Sequence, residues 1–123
     1  VETGLPLVYL NMLGGQDDQM FDGASFVLNP HGQLALQLPA MEEAVVHVDF
    51  EKGLDGWLAV PGDKAHLPDA WEQDYAAMVL TLRDYLRKTG FGKVLLGLSG
   101  GVDSAIFDMC QGAFNRMNIV DRK

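Results

Sequence analysis

The sequence has 123 residues, 48% of them hydrophobic and 21% charged, which is the balance of one modest soluble globular domain. Nine basic residues against seventeen acidic ones give a formal charge of −8, which argues against nucleic-acid binding, where Lys and Arg clusters must neutralise phosphates. No apolar run approaches the roughly 18–20 residues of a membrane span, no basic-then-apolar leader is visible, and one cysteine fits a reducing compartment, with cytoplasm as the expected location.

From the N-terminus, Leu5 to Met12 (LPLVYLNM) is an almost unbroken apolar run, the pattern of a strand buried on both faces. A polar, glycine-bearing loop is expected from Gly14 to Gly23. Ser25–Asn29 and Gln33–Leu38 then flank Asn29-Pro30-His31-Gly32, a strong turn signal. In the second arm Leu34, Leu36 and Leu38 share one face. Val46, Val48 and Phe50 alternate with Val45, His47 and Asp49, which completes a β-meander. From Glu51 to Pro68 the periodicity disappears, and Gly53, Gly56, Pro61, Gly62 and Pro68 punctuate the run. Residues 52–68 therefore read as a linker between two domains, with Trp57 and Leu58 packing against something.

A helix is expected to begin at Asp69, with Glu72 in the capping-box position. Trp71, Tyr75, Met78, Val79, Leu82 and Leu86 form one apolar stripe. Acidic residues lie near its start, and Arg83, Arg87 and Lys88 near its end, matching the helix dipole. Gly90 is placed to stop it. Lys93–Leu98 (KVLLGL) has the composition of a short parallel central strand.

That strand runs straight into Ser99-Gly100-Gly101-Val102-Asp103-Ser104 and a helix expected from about Val102. Strand, glycine turn and helix together make an anion cradle. The glycines let the backbone approach a phosphate and take positive φ, and the helix N-terminus adds unpaired N–H groups and partial positive charge. Ser99 and Ser104 offer hydroxyls to phosphate oxygens. A carboxylate beside a phosphate repels it unless a hard cation lies between them, so Asp103 is expected to hold Mg²⁺ bridged to the phosphates. The alternative is that Asp103 caps the helix and the glycines make a tight turn. A Walker A loop is excluded, since no Lys follows the last glycine.

GLSGGVDS resembles the pyrophosphate-binding loop of the ATP pyrophosphatases, the family in which ATP activates a carboxylate or carbonyl as an adenylate. The N-terminal half narrows the choice. Tyr9-Leu10-Asn11, Gly14-Gly15-Gln16-Asp17 and Phe21-Asp22-Gly23-Ala24-Ser25 resemble the pattern YxNxxGGQDELxFDGxS of the nitrilase-like glutaminase domain in glutamine-dependent NAD synthetases. Asp18 stands where Glu is usual and Gln19 where an aliphatic is usual. After Ile106 the resemblance fades, and residues 107–123 read as an unmatched tail, helical at first and broken from Asn115.

The fold this resemblance implies is α/β. The β-rich C-terminal part of a nitrilase-like domain (residues 1–51) is followed by a linker (52–68) and by the start of an ATP-pyrophosphatase-type domain (69–123). The implied reaction amidates nicotinic acid adenine dinucleotide through an adenylate, using ATP, Mg²⁺ and ammonia from glutamine, in an enzyme expected to be a homo-oligomer that needs neither nucleic acid nor membrane. By resemblance Gly97, Leu98, Ser99, Gly100, Gly101, Val102, Asp103 and Ser104 bind ATP, and Asp103 binds the metal. The glutaminase Glu, Lys and Cys are expected upstream of this chain, so no catalytic residue is assigned here.

Gly15, Gln16, Asp17, Phe21 and Asp22 either border the glutamine site or the inter-domain route, or form a structural glycine turn in which the aspartates bond backbone amides. Cys110 follows the phosphate loop and is expected to pack a helix. His31, His47 and His66 have no companions at metal-ligand spacing. With Val1 in place of Met, the chain reads as a fragment that catalyses nothing by itself. The rival readings are another adenylate-forming enzyme with the same loop, and a non-catalytic scaffold that keeps a phosphate cradle.

Overall fold

A computed structural model describes residues 4–91, 94–95, 97 and 99–120, with backbone alone for 113–120. In chain order the elements are β1 (Leu7–Tyr9), β2 (Leu13–Gln16), β3 (Gln19–Asp22), β4 (Phe26–Asn29), a 3₁₀ turn (Pro30–Gly32), β5 (Gln33–Gln37), β6 (Phe50–Gly53), β7 (Gly56–Ala59), α1 (Ala70–Thr89) and α2 (Val102–Val120). The chain divides into two units: Val1–Leu13 with Phe21–Asp69, and Gly14–Met20 with Ala70–Lys123.

In the first unit β1, β4 and β5 form an antiparallel sheet in that order, and β6 pairs with β7 as a separate ribbon. Pro30 locks φ and lacks an N–H, so it ends the β4 ladder. His31 and Gly32, at φ 66° and 79°, then reverse the chain. The β4–β5 register passes from Val27↔Leu36 to Leu28↔Leu34, leaving Ala35 as the extra residue of a bulge. The bulge turns two successive residues inward. Ala35 and Leu36 are both buried with Val27 and Ala59, and Leu38 and Val48 pack on this cluster half-buried. Strict alternation through Leu34, Leu36 and Leu38 is therefore interrupted.

Asn29 holds the ribbon to the sheet. Its Nδ2 donates to Ala59 O at 3.0 Å, and Ala59 N donates to its Oδ1 at 2.7 Å. The segment beyond β7 continues along β5: Gly62 N donates to Ala35 O, Gln37 N to Asp63 O, and Ala65 N to Gln37 O.

Three expectations are corrected here. The N-terminal run forms only a three-residue strand, and Leu7, Val8 and Tyr9 are about half exposed at 52%, 56% and 47%. It is an edge strand, fastened by Tyr9 stacking on Phe26 with ring centroids 5.0 Å apart. Residues 45–49 form no strand, and Val45 is fully open at 98%. Conversely, β6 and β7 lie where no element was expected.

In the second unit α1 spans twenty residues and stops at Gly90, whose φ of 76° suits glycine. It buries Val79, Leu80 and Leu86, whereas Trp71, at the head of the expected stripe, is 84% exposed. The helix packs on α2, where Tyr75 Oη donates to Met109 O at 3.4 Å. The α2 backbone continues to Val120, past the expected break at Asn115. Of the strand expected at Lys93–Leu98, residues Val94, Leu95 and Gly97 are in no strand, and Lys93, Leu96 and Leu98 lie outside the described residues. A parallel strand takes its hydrogen bonds from neighbours, and none of the described residues pairs with this segment.

Candidate functional site

The residues expected to hold phosphate sit in the second unit, at and just before the start of α2. Gly100 has φ 80°, the left-handed region that admits glycine without strain. Among the described residues no heavy atom lies within 4 Å of where a Cβ would stand on Gly97 or Gly100, leaving room beside the backbone there. The first helical bond runs from Ala105 N to Gly101 O at 3.2 Å. Amides of the first turn are therefore left over at this helix end, as at any α-helix N-terminus.

The two serines face each other across the loop, with Ser99 Oγ and Ser104 Oγ 3.3 Å apart. Ser104 Oγ also donates to Gly101 O at 2.9 Å, and Gly101 N donates to Ser99 Oγ at 3.4 Å. The two longer contacts, at 3.3 and 3.4 Å, are weak bonds that an incoming anion can replace. Gly97, Ser99, Gly100, Gly101, Val102 and Asp103 are exposed and Ser104 is half-buried, while Leu98 lies outside the described residues.

Asp103 is in the first turn of α2 and exposed. Among the described residues no group of three His, Cys, Asp or Glu comes together to hold a metal. One hard carboxylate oxygen beside a phosphate cradle fits Mg²⁺, which is commonly held by one or two carboxylates together with substrate phosphates and water. It does not fit a cation caged by protein alone. An apolar groove of about 730 Å³ adjoins the loop, lined by Met78, Leu82, Leu86, Ile106 and Phe107 and also by Asp103. Cys110 is buried in the same groove, and burial pushes its thiol above the ordinary value.

The residues expected near the glutamine site fall into different units. Phe21 and Asp22 belong to the first. There Asn11 Nδ2 donates to Asp22 Oδ1 at 2.8 Å, and Asn11 N donates to Ser25 Oγ at 2.9 Å. Asn11 and Ser25 line a cavity of about 490 Å³ that also has Glu42 and Glu43 in its wall. Asn11 and Ser25 thus join the motif residues quoted from the sequence into one polar cluster.

Gly15, Gln16 and Asp17 belong to the second unit and line a cavity of about 370 Å³ with Thr81, Tyr85 and Lys88 of α1. Gly15 N donates to Asp84 Oδ2 at 3.0 Å, and Lys88 Nζ donates to Gly15 O. Asp84 and Lys88 escaped the sequence reading because nothing separates them from solvated helix residues. Their spacing of four, which places both on one face, was the available signal.

A family model described as NAD synthase matches residues 74–121. This corrects the expectation that resemblance ends at Ile106. Over 105 residues the chain is 70% identical to a glutamine-dependent NAD(+) synthetase of Rhodobacter capsulatus, covering 85% of this chain and 19% of that protein. It is 42% identical over 105 residues to the synthetase of Acinetobacter baylyi, with the same coverage. The solved structure of glutamine-dependent NAD+ synthetase from Acinetobacter baumannii in complex with ADP superposes with a TM-score of 0.78 at 38% identity, covering 89% of this chain and 20% of that one. The chain spans about a fifth of the length of these relatives.

Proposed function

Because the chain belongs to the glutamine-dependent NAD(+) synthetase family, matching about a fifth of its relatives' length, we propose that it supplies the pyrophosphate-holding loop of such a synthetase. The full enzyme would amidate nicotinic acid adenine dinucleotide to NAD, consuming ATP and glutamine. The observation that carries this reading is the glycine turn opening onto the exposed first turn of α2, with Asp103 in that turn and two hydroxyls facing each other across it.

The substrate carboxylate attacks the α-phosphorus of ATP, an adenylate forms, and pyrophosphate leaves. Ammonia then displaces AMP. Charge grows on the departing pyrophosphate, so fixed N–H dipoles aimed at its oxygens lower the barrier. The amides at the start of α2 provide these dipoles, and Ser99 and Ser104 exchange their mutual contact for phosphate oxygens. Asp103 would hold Mg²⁺, which neutralises phosphate charge when bound.

Residues 1–51 are proposed as part of the nitrilase-like domain that releases ammonia, with Gly15, Gln16, Asp17, Phe21 and Asp22 near the glutamine site or the ammonia route. Residues 52–68 would join it to the synthetase domain. A cytoplasmic, homo-oligomeric enzyme acting on small molecules completes the proposal. Among the described residues no helix is long and apolar enough to cross a membrane.

Asp103→Asn in a full-length synthetase carrying this segment keeps the side-chain shape and removes the charge. It should lower kcat/KM for ATP by roughly a hundredfold and raise the Mg²⁺ concentration needed for half-maximal rate. An unchanged Mg²⁺ dependence would remove Asp103 from the metal site.

A further inference from the structure

Gly14–Met20 is grouped with α1 and α2, although Leu13 before it and Phe21 after it belong to the first unit. The tip of the β2–β3 hairpin is therefore fastened to α1, and the fastening centres on one peptide. Asp84 Oδ2 accepts from Gly15 N at 3.0 Å, while Lys88 Nζ donates to Gly15 O. Donor and acceptor of the same residue are both met by a charged partner, one helical turn apart on α1.

Three observations show that the fit is specific. Gly14 is buried at φ 109°, and a Cβ there would collide with Asp84 Oδ2, so only glycine lets the carboxylate reach the peptide. The carboxylate's other oxygen lies 3.9 Å from Arg83 Nε, a buried nitrogen that has no hydrogen-bond partner among the described residues. Asp84 is only 19% exposed at the side chain, which shields its bond to Gly15 from water.

We propose that Gly14, Gly15, Asp84 and Lys88 form a latch that sets the register of the GGQD hairpin on α1. Through the latch, hairpin position and α1 position are coupled. Resting on the synthetase reading, this makes Asp84 and Lys88 positioning residues that tie glutamine-driven ammonia supply to the ATP-driven step.

Amide hydrogen exchange on this chain tests the latch directly. Asp84→Ala should speed exchange at Gly15 by roughly tenfold or more, while Val27 and Leu36 in the first unit stay protected. Asp84→Asn, which keeps an accepting oxygen, should retain most of the protection. Gly15 exchange unmoved by Asp84→Ala overturns the latch. If Asp84→Ala fails to fold, Lys88→Met on the exposed side reports instead: the Gly15 carbonyl ¹³C resonance should shift upfield, and no shift overturns the proposal.

In a full-length synthetase carrying this segment, Lys88→Met and Asp84→Ala should lower the ratio of glutamine-driven to ammonia-driven amidation about threefold or more, while Asp84→Asn keeps most of it. A constant ratio alongside lost Gly15 protection overturns the coupling. Absence of amidation from either nitrogen source in the unaltered enzyme strikes the proposed function instead, and the exchange result then judges the latch alone.

Discussion

Asn29 does with one side chain what a neighbouring strand does with a backbone. Its amide both donates to and accepts from Ala59, whose own burial leaves no water to take over. Asn29→Ala should therefore cost about 2–4 kcal/mol, because two buried backbone groups lose their partners at once, and urea unfolding would show it. The turn sequence flagged position 29, but as a turn former. Its reach across thirty residues is not a local property, so no local pattern carries it.

Cys110 is the converse case, since its packing role was legible from its place after the phosphate loop. Burial raises its pKa, so the folded state holds the thiol proton more tightly than the unfolded state does. That contribution is complete below the ordinary thiol value of 9.0 and is lost as pH climbs through the higher folded value. Stability should fall more steeply above pH 9 in the native chain than in Cys110→Ala, as compared by urea midpoints at stepped pH. Equal slopes would place the thiol in water.

Among the elements, legibility followed burial. The bounds of helix α1 were readable almost to the residue, because apolar positions recur at helical spacing and Gly90 stops it, although of the expected stripe only Val79 and Leu86 are buried. Leu86→Ala should cost about 2–4 kcal/mol, since Leu86 is 5% exposed and its loss leaves a hole under the helix; a cost below about 1 kcal/mol would mean that the helix end is loosely packed. Strand β6 was unreadable for the opposite reason. All four of its residues are exposed, so no face exists to impress a period on the sequence. Val45 to Phe50 had the right alternation but no partner strand for residues 45–49, and alternation alone does not make a ladder. The bulge at Ala35 is a third kind of miss, since an inserted residue shifts the inward pattern without changing composition.

For the molecule as a whole, the proposed phosphate loop could be read from the sequence because its residue types are compressed into the six consecutive positions Ser99 to Ser104. The hairpin latch was not, because its partners stand 69 and 73 positions apart. The division into units also differs from a simple cut of the sequence, with Gly14–Met20 leaving its neighbours to join α1. Overall charge spoke only to partners: −8 disfavours polyanions, yet the proposed nucleotide site lies where helix-end amides locally reverse the field.

That local reversal is what the functional account depends on. Titrating the isotope-labelled chain with ATP, with and without Mg²⁺, and following amide resonances measures it most directly. The account predicts saturable shifts at Gly100, Gly101 and Ser104, stronger with Mg²⁺ and weakened in Asp103→Asn, while β4 and β5 stay still. Saturating Mg·ATP that leaves residues 99–104 unmoved would contradict it.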